Sequence, residues 1–408
     1  MALLEGLLVR PQLLIVRGDK ETNAEQKWGE DVRSVAEGLG FVVEQVTGNR
    51  GGVERLRERG GVERGKGATA IYDVIVHVGD GPMDDDPDSK GVPGGAVLEE
   101  VRRLELGGEV PTPLDQLTSR RMHRELPMQC FVVHMGEMAD RMPRTRWELF
   151  QRHANMVTRD AASLERALSI VHRHTVQRRT SKPTSDITLF ACPWCLLDHL
   201  TEDHLCEHMF LYHANHLTPI KARCPVCNMK RIPLAPHIRN KHGRIGRHPE
   251  LQEHRRRCPT FAFSLVVVVH PKLANTFLVV QEFSALGYWL PGGAVDPGEH
   301  LQEAAVRECQ EEVGVEVRLT GVLQLAYRGH KTTSSQDACA VLRAVFLATT
   351  VDPDGATPKS IPDFESVGAC WLHLDDLKRV RWRSDEPLRW FPHVANGGEV
   401  FPLSVLGI

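Results

Sequence analysis

Short apolar runs alternate with helix-patterned stretches through the first 175 residues of the chain. Leu13–Val16 reads as a buried strand, Ala24–Leu39 as a helix and Phe41–Val46 as a second strand. Val74–Val78 is a further strand that runs into a Gly-Asp-Gly turn. Ala96–Leu104 is patterned as a helix, Cys130–His134 as a strand and Ala161–His174 as a closing helix. Such alternation predicts an α/β domain built on a parallel sheet over residues 1–175. Ligands of these sheets sit beyond the carboxyl ends of strands, where Asp19, Asp80 and Glu137 stand. They line a small-molecule pocket or are ordinary polar turn residues; with no dinucleotide or P-loop glycine fingerprint in the region, the second reading is the simpler. The repeated GGVER at 51–55 and 60–64 has no evident consequence, and the acidic stretch with Asp84, Asp85, Asp86 and Asp88 reads as a solvated loop.

The pattern changes after residue 258. Phe261–His270 and Thr276–Gln281 are strands joined by a short polar connection, and Val315–Leu325, Ala340–Ala348 and Val367–His373 supply more. Between them, about His300 to Val313 is filled with good helix formers, and Gly314 ends the run. Leu301, Ala304, Ala305 and Cys309 fall on one face of this helix. Glu308, Glu311 and Glu312, at i, i+3 and i+4, share the other. Carboxylates so close repel one another unless a hard cation with oxygen ligands relieves them. A merely solvated acidic face is the alternative.

A chain of 408 residues is too long for one typical domain, and its net charge of −3 makes no global case for nucleic acid or a membrane surface. No apolar run reaches the length of a membrane span and the N-terminus makes no convincing signal peptide. Ten cysteines, including two Cys-Pro-x-Cys pairs, read as metal ligands in a reducing compartment. An intracellular protein, cytoplasmic or nuclear, without membrane partners is expected.

Residues 176–187 are polar and basic and read as a linker. Cys192-x2-Cys195-x12-His208-x4-His213 follows, then Cys224-x2-Cys227-x9-His237-x4-His242. Two thiolates and two imidazoles complete a closed tetrahedral zinc site. The spacing resembles tandem C2H2 zinc fingers over residues 188–258, with Leu205 and Leu234 three residues before the first histidine of each. The second finger is short and carries Pro233 and Pro236, so its helix starts late. Spare donors (His199, His204, Cys206, His216) leave open a single site shared by Cys192, Cys195, Cys224 and Cys227. Thr188–Ile220 has no Lys or Arg, which argues against phosphate contact. Lys221–Arg257 is basic and could meet RNA, a polyphosphate or an acidic protein.

Gly293–Val315 reads G-x5-E-x7-R-E-U-x-E-E-x-G-U, with Gly293, Glu299, Arg307, Glu308, Glu311, Glu312 and Gly314 at the fixed positions. It resembles the signature of the Nudix hydrolases, across residues 259–408. The resemblance implies a mixed α/β/α sandwich and Mg2+- or Mn2+-dependent hydrolysis of a nucleoside diphosphate linked to another moiety. It makes Glu308, Glu311 and Glu312 the metal ligands, one of them a possible base, with the Gly293 carbonyl as an added ligand. Arg307 would orient the glutamates, Glu299 anchor the loop or join the metal shell, and Glu365, with Asp363 behind it, supply a further acid. Trp289, Tyr327, Trp371, Trp382 and Trp390 are aromatics that could stack on a base, though most suit a core. The competing readings are a catalytically idle nucleotide sensor whose fingers dock RNA or protein, and a decapping-like, RNA-processing pyrophosphohydrolase.

Overall fold

The computed structural model describes residues 10–18, 22–62, 72–79, 95–106, 130–136, 141–152, 154–180, 189–193, 197, 199–213, 221–222, 224–229, 232–233, 237–242, 260–283, 286–330 and 339–407. The chain forms two compact units: Met1–Ala139 with Thr145–Ala235 and Ser360–Asp363, and Asp140–Arg144 with Pro236–Lys359 and Phe364–Ile408.

In the first unit β1 (Gln12–Arg17), α1 (Asn23–Leu39), β2 (Val42–Thr47), α2 (Asn49–Val62), β3 (Val74–Val78), α3 (Gly95–Leu106) and β4 (Phe131–Met135) alternate strand with helix, α2 being a helix that the sequence pattern does not predict. β5 (Met156–Thr158) follows α4 (Pro143–Gln151), and α5 (Ala161–Thr180) comes next. Among the described residues the five strands form one parallel sheet in the order β2-β1-β3-β4-β5, a doubly wound arrangement. β3 and β4 are buried along their whole length, as strands covered on both faces must be. Thr22 and Glu25 start α1 with reciprocal backbone-to-side-chain bonds of 2.6 and 3.2 Å, a capping box.

The sequence pattern ends α5 at His174 and begins a linker at 176, but the helix continues to Thr180. Arg179 explains the extension: its Nη2 donates to both oxygens of Asp73 at 2.8 and 2.9 Å and its Nη1 to the Arg10 carbonyl at 3.0 Å. Residues 181–188 lie outside the described residues.

The first Cys-His segment contributes α6 (Glu202–His213). Its Leu211 and Tyr212 belong to the sheet's apolar core together with Phe131, Val133, Leu164 and Leu168. Asn155 locks the arrangement: its Oδ1 accepts from Val132 N at 2.8 Å and its Nδ2 donates to Tyr212 O at 3.0 Å. A two-residue hairpin, β6 (Lys221–Ala222) with β7 (Ile232–Pro233), carries the second CxxC pair.

In the second unit, β8 (Thr260–Val269), β9 (Thr276–Glu282), β10 (Gly287–Trp289), β11 (Gly292–Ala294), β12 (Val317–His330), β13 (Cys339–Thr350) and β14 (Gly368–His373) form a mixed sheet. β8 and β13 pair parallel, Ala340 opposite Thr260 through Thr349 opposite Val269; the remaining pairs are antiparallel. A short π-helical turn, Ile238–His242, precedes it, and α8 (Glu386–Ala395) is the late helix. α7 (Leu301–Glu308) buries Ala305 against Val266, Val268, Val280 and Phe346. Cys309 and Val313, four and eight residues on, lie in the same core. Among the described residues no helix is long and apolar enough to cross a membrane.

Candidate active site

The acidic helix is positioned from both ends. Ser264 on β8 donates its hydroxyl to Leu301 O at 2.7 Å, and Glu303 accepts from the His300 amide at 2.9 Å. The far end departs from the single α-helix that the pattern predicts. α7 stops at Glu308 and Cys309–Val313 is a π-helical turn, closed by Gly314 at φ 67°. π turns cluster at functional sites because they re-aim side chains. Here Cys309 and Val313 stay in the core while Glu312 turns to Gly292 on β11 and Glu311 to Arg307.

Arg307 gathers the carboxylates. Its Nε and Nη2 donate to the two oxygens of Glu299 at 2.8 and 3.0 Å. Its Nη1 donates to Glu308 Oε1 and Glu311 Oε2, both at 2.9 Å, and Nη2 also reaches Ala294 O at 3.0 Å. Burial opposes the charge on Arg307, but the bond to Glu299 and the negative charges of Glu308 and Glu299 outweigh it and hold the guanidinium protonated. Glu312 is fixed separately, accepting from Gly292 N at 2.9 Å. Glu299 Oε2 also accepts from Asp296 N at 2.9 Å.

Two adjacent glycines make this approach possible. Gly292 has φ 147°, a region side chains avoid, and a Cβ there would strike the β8 backbone at Ser264 and Leu265. A Cβ on Gly293 would strike the Glu308 carboxylate. The result is a cradle of strand backbone under buried acids, with Glu308 and Glu312 only 8 and 7% exposed. Its donor set is all oxygen, which suits Mg2+ or Mn2+ over softer ions. The buried Cys309 thiol beside these acids is pushed well up by burial and by Glu312 and Glu308.

Glu365 is half-buried, and the next residue, Ser366, donates its hydroxyl to Glu312 O at 2.6 Å, so the chain at Glu365 runs beside the box. Lys359, unmarked by the sequence pattern, donates Nζ to Glu311 O at 2.7 Å and its amide to Val313 O at 2.8 Å. Trp371 and Trp390 are core residues. Trp382 bonds Leu377 O at 2.7 Å, and Trp289 lies under Arg383 at 4.3 Å while bonding Glu386. Tyr327 is 70% exposed and remains the aromatic most open to a ligand.

Residues 260–391 match the family model described as the NUDIX domain. This C-terminal stretch is a Nudix domain. Over 130 residues the chain is 31% identical to Nudix hydrolase 6 of Arabidopsis thaliana, covering 31% of this chain and 43% of that protein. Over 58 residues it is 45% identical to the asymmetrical bis(5'-nucleosyl)-tetraphosphatase of Rattus norvegicus, 13% of this chain and 40% of that one. The chain thus spans less than half the length of these curated relatives. A solved NUDIX hydrolase from Nitrosomonas europaea aligns at 20% identity and a TM-score of 0.27, covering 36% of this chain and 95% of that chain.

Of the predicted zinc ligands, Cys192, His208 and His213 come together in the first unit, all fully buried, with ligand atoms within 4.8 Å. Cys192 Sγ is 3.4 Å from His213 Nε2, which is 3.2 Å from His208 Nε2. Cys195 lies outside the described residues. Cys224 and Cys227 stand at the turn between β6 and β7 in the first unit. In the second, the His237 and His242 rings lie 5.2 Å apart on the late helical turn. Cys192 thus groups with histidines of its own segment. Asp19, Asp80, Glu137, the acidic residues 84–88, Leu234, His216 and the basic stretch 243–259 lie outside the described residues.

Proposed function

We propose that the Nudix domain is an active pyrophosphohydrolase that cleaves a nucleoside diphosphate linked to another moiety. The observation that carries this is the convergence of Glu299, Glu308 and Glu311 on one guanidinium, beside Glu312 on the Gly292 amide. Glu308, Glu311 and Glu312 would hold Mg2+ or Mn2+, with the Gly293 carbonyl as a further ligand. Bound there, such an ion supplies neutralisation of the diphosphate charge and a lowered pKa for water. Arg307 keeps Glu308 and Glu311 aligned, the Gly292 amide holds Glu312, and Glu299 braces Arg307. Glu365 is the candidate for a further ligand or base outside the box. The name of the rat relative, a tetraphosphatase of bis-nucleosyl compounds, fits this substrate class.

We further propose that Cys192, Cys195, His208 and His213 bind one structural zinc. This rests on their spacing and on the buried cluster of Cys192, His208 and His213. The test of the enzymatic reading is turnover of dinucleoside polyphosphates, ADP-ribose, NADH, capped RNA and oxidised nucleotides with Mg2+ and with Mn2+, read by product mass. Glu311→Gln and Glu312→Gln are expected to lower turnover by about 100-fold or more. Tight nucleotide binding with no hydrolysis under either ion would replace it with the idle-sensor reading.

A further inference from the structure

Helix α6 carries a second set of donors that the CxxC–histidine pattern does not use. His204 and Glu207 stand three residues apart, which puts both on the same side of the helix. That side meets α5, where Arg173 donates to Glu207 Oε2 at 2.8 Å. The neighbouring His174 Nε2 lies 3.4 Å from the same oxygen, within ion-pair range but outside hydrogen-bond geometry. His174 is only 2% exposed, and neither of its buried ring nitrogens has a hydrogen-bond partner among the described residues. The buried Nδ1 of His204 also has none, and the two rings sit 4.9 Å apart. One ligand atom from each of His174, His204 and Glu207 lies within 4.8 Å of the others.

Buried imidazole nitrogens without partners are uncommon enough to need a reason, and a bound ion is one of the few that serves. Two imidazoles and a carboxylate suit zinc and its first-row neighbours, and three protein ligands leave a position for water or an exogenous donor.

We infer that His174, His204 and Glu207 form a divalent transition-metal site, best matched to zinc, that joins α5 to α6 beside the Cys192, His208 and His213 cluster. The ion would make the two helices one rigid piece. Because the Glu207 side chain is 43% exposed, the site is open to exchange where the neighbouring cluster is closed. It contains no sulfur, and this separates it experimentally from the CxxC sites.

The test uses the full-length protein loaded with Zn2+ or Co2+ in excess Mg2+, which keeps the Nudix carboxylates occupied. The His174→Ala/His204→Ala double variant is expected to retain about one ion fewer per chain, with the thiolate-to-Co2+ charge-transfer absorption undiminished. Equal metal content in the two proteins, or loss of the thiolate absorption in step with the histidines, overturns the site. Should the double variant lose its circular-dichroism signature, Glu207→Gln decides. It is expected to weaken the sulfur-free Co2+ absorption at least about tenfold in affinity, and an unchanged titration refutes the proposal.

Discussion

Arg307 and Glu299 meet fork to fork, Nε to Oε1 at 2.8 Å and Nη2 to Oε2 at 3.0 Å, eight residues apart across the mouth of α7. This geometry needs a planar guanidinium with paired donors, and a lysine cannot reproduce it. Arg307→Lys keeps the charge but frees Glu299, Glu308 and Glu311 from a common anchor. The expected result is a 10- to 100-fold fall in kcat/KM, by about the margin seen when supports of metal ligands are removed. A Mg2+ titration of the variant should half-saturate at higher concentration; an unshifted titration with full activity counts against a positioning role.

Gly293→Ala tests the cradle. The added methyl collides with the Glu308 carboxylate, while Gly329→Ala, whose methyl meets open space, is the matched control. Displacement of a ligand by about an ångström is expected to cost roughly 100-fold in turnover, with a stability loss of about 1–3 kcal/mol from overpacking. Steady-state kinetics beside thermal melts of both variants separate the two effects.

Acid should weaken the first unit through a buried histidine pair. His77 Nδ1 and His134 Nδ1 are 3.1 Å apart between β3 and β4, and His77 Nε2 contacts Asn49 Oδ1 at 2.9 Å. Burial, then the neighbouring His134, pushes the pKa of His77 down from 6.5 to about 3. The unfolded chain therefore binds more protons as pH falls below about 6.5, and stability drops with a slope approaching 1.4 kcal/mol per pH unit until about pH 3. His77→Gln cannot take up that proton. Urea melts at pH 7.5, 6, 5 and 4 should show a shallower decline in the variant, and identical slopes would rule His77 out as the source.

Asn155 bridges β4 and α6 through bonds of 2.8 and 3.0 Å, and it is buried. Asn155→Ala removes the acceptor of the Val132 amide and a donor to Tyr212 O, at about 1–3 kcal/mol for a buried hydrogen-bonding group that loses its partner. Equilibrium denaturation followed by far-ultraviolet circular dichroism should register the loss with Nudix turnover unchanged.

The acidic box was legible because its chemistry is written in local spacing: the same interval that puts Glu308, Glu311 and Glu312 together also puts Ala305 and Cys309 in the core. The switch to a π turn at Cys309 was not, since one widened turn leaves no mark on a short apolar pattern. Nor was Lys359, whose contact with the Glu311 carbonyl joins residues far apart in the chain. In the first unit the buried strands announced themselves, but β5 has only three residues, too few to show a period. Helix α2 was concealed by its glycines, which read as helix breakers. Gly52 has a packing reason: a Cβ there would press against Val16 and Val97 at 3.0 to 3.2 Å, so glycine lets α2 settle onto the sheet. Metal-ligand spacing singled out Cys192, His208 and His213, which the fold brings together, while His174 carried no signal, standing thirty residues before His204.

Zinc fingers are commonly pictured as beads, each portable and each able to fold wherever it is spliced. The finger-like spacing of this chain sits on a different support, because Leu211 and Tyr212 of α6 lie in the apolar core of the five-stranded sheet. Cutting α6 away would open a hole in a neighbour rather than shorten a string. Inheritance should therefore move this segment and the sheet as a single piece, and heat should melt them at one temperature.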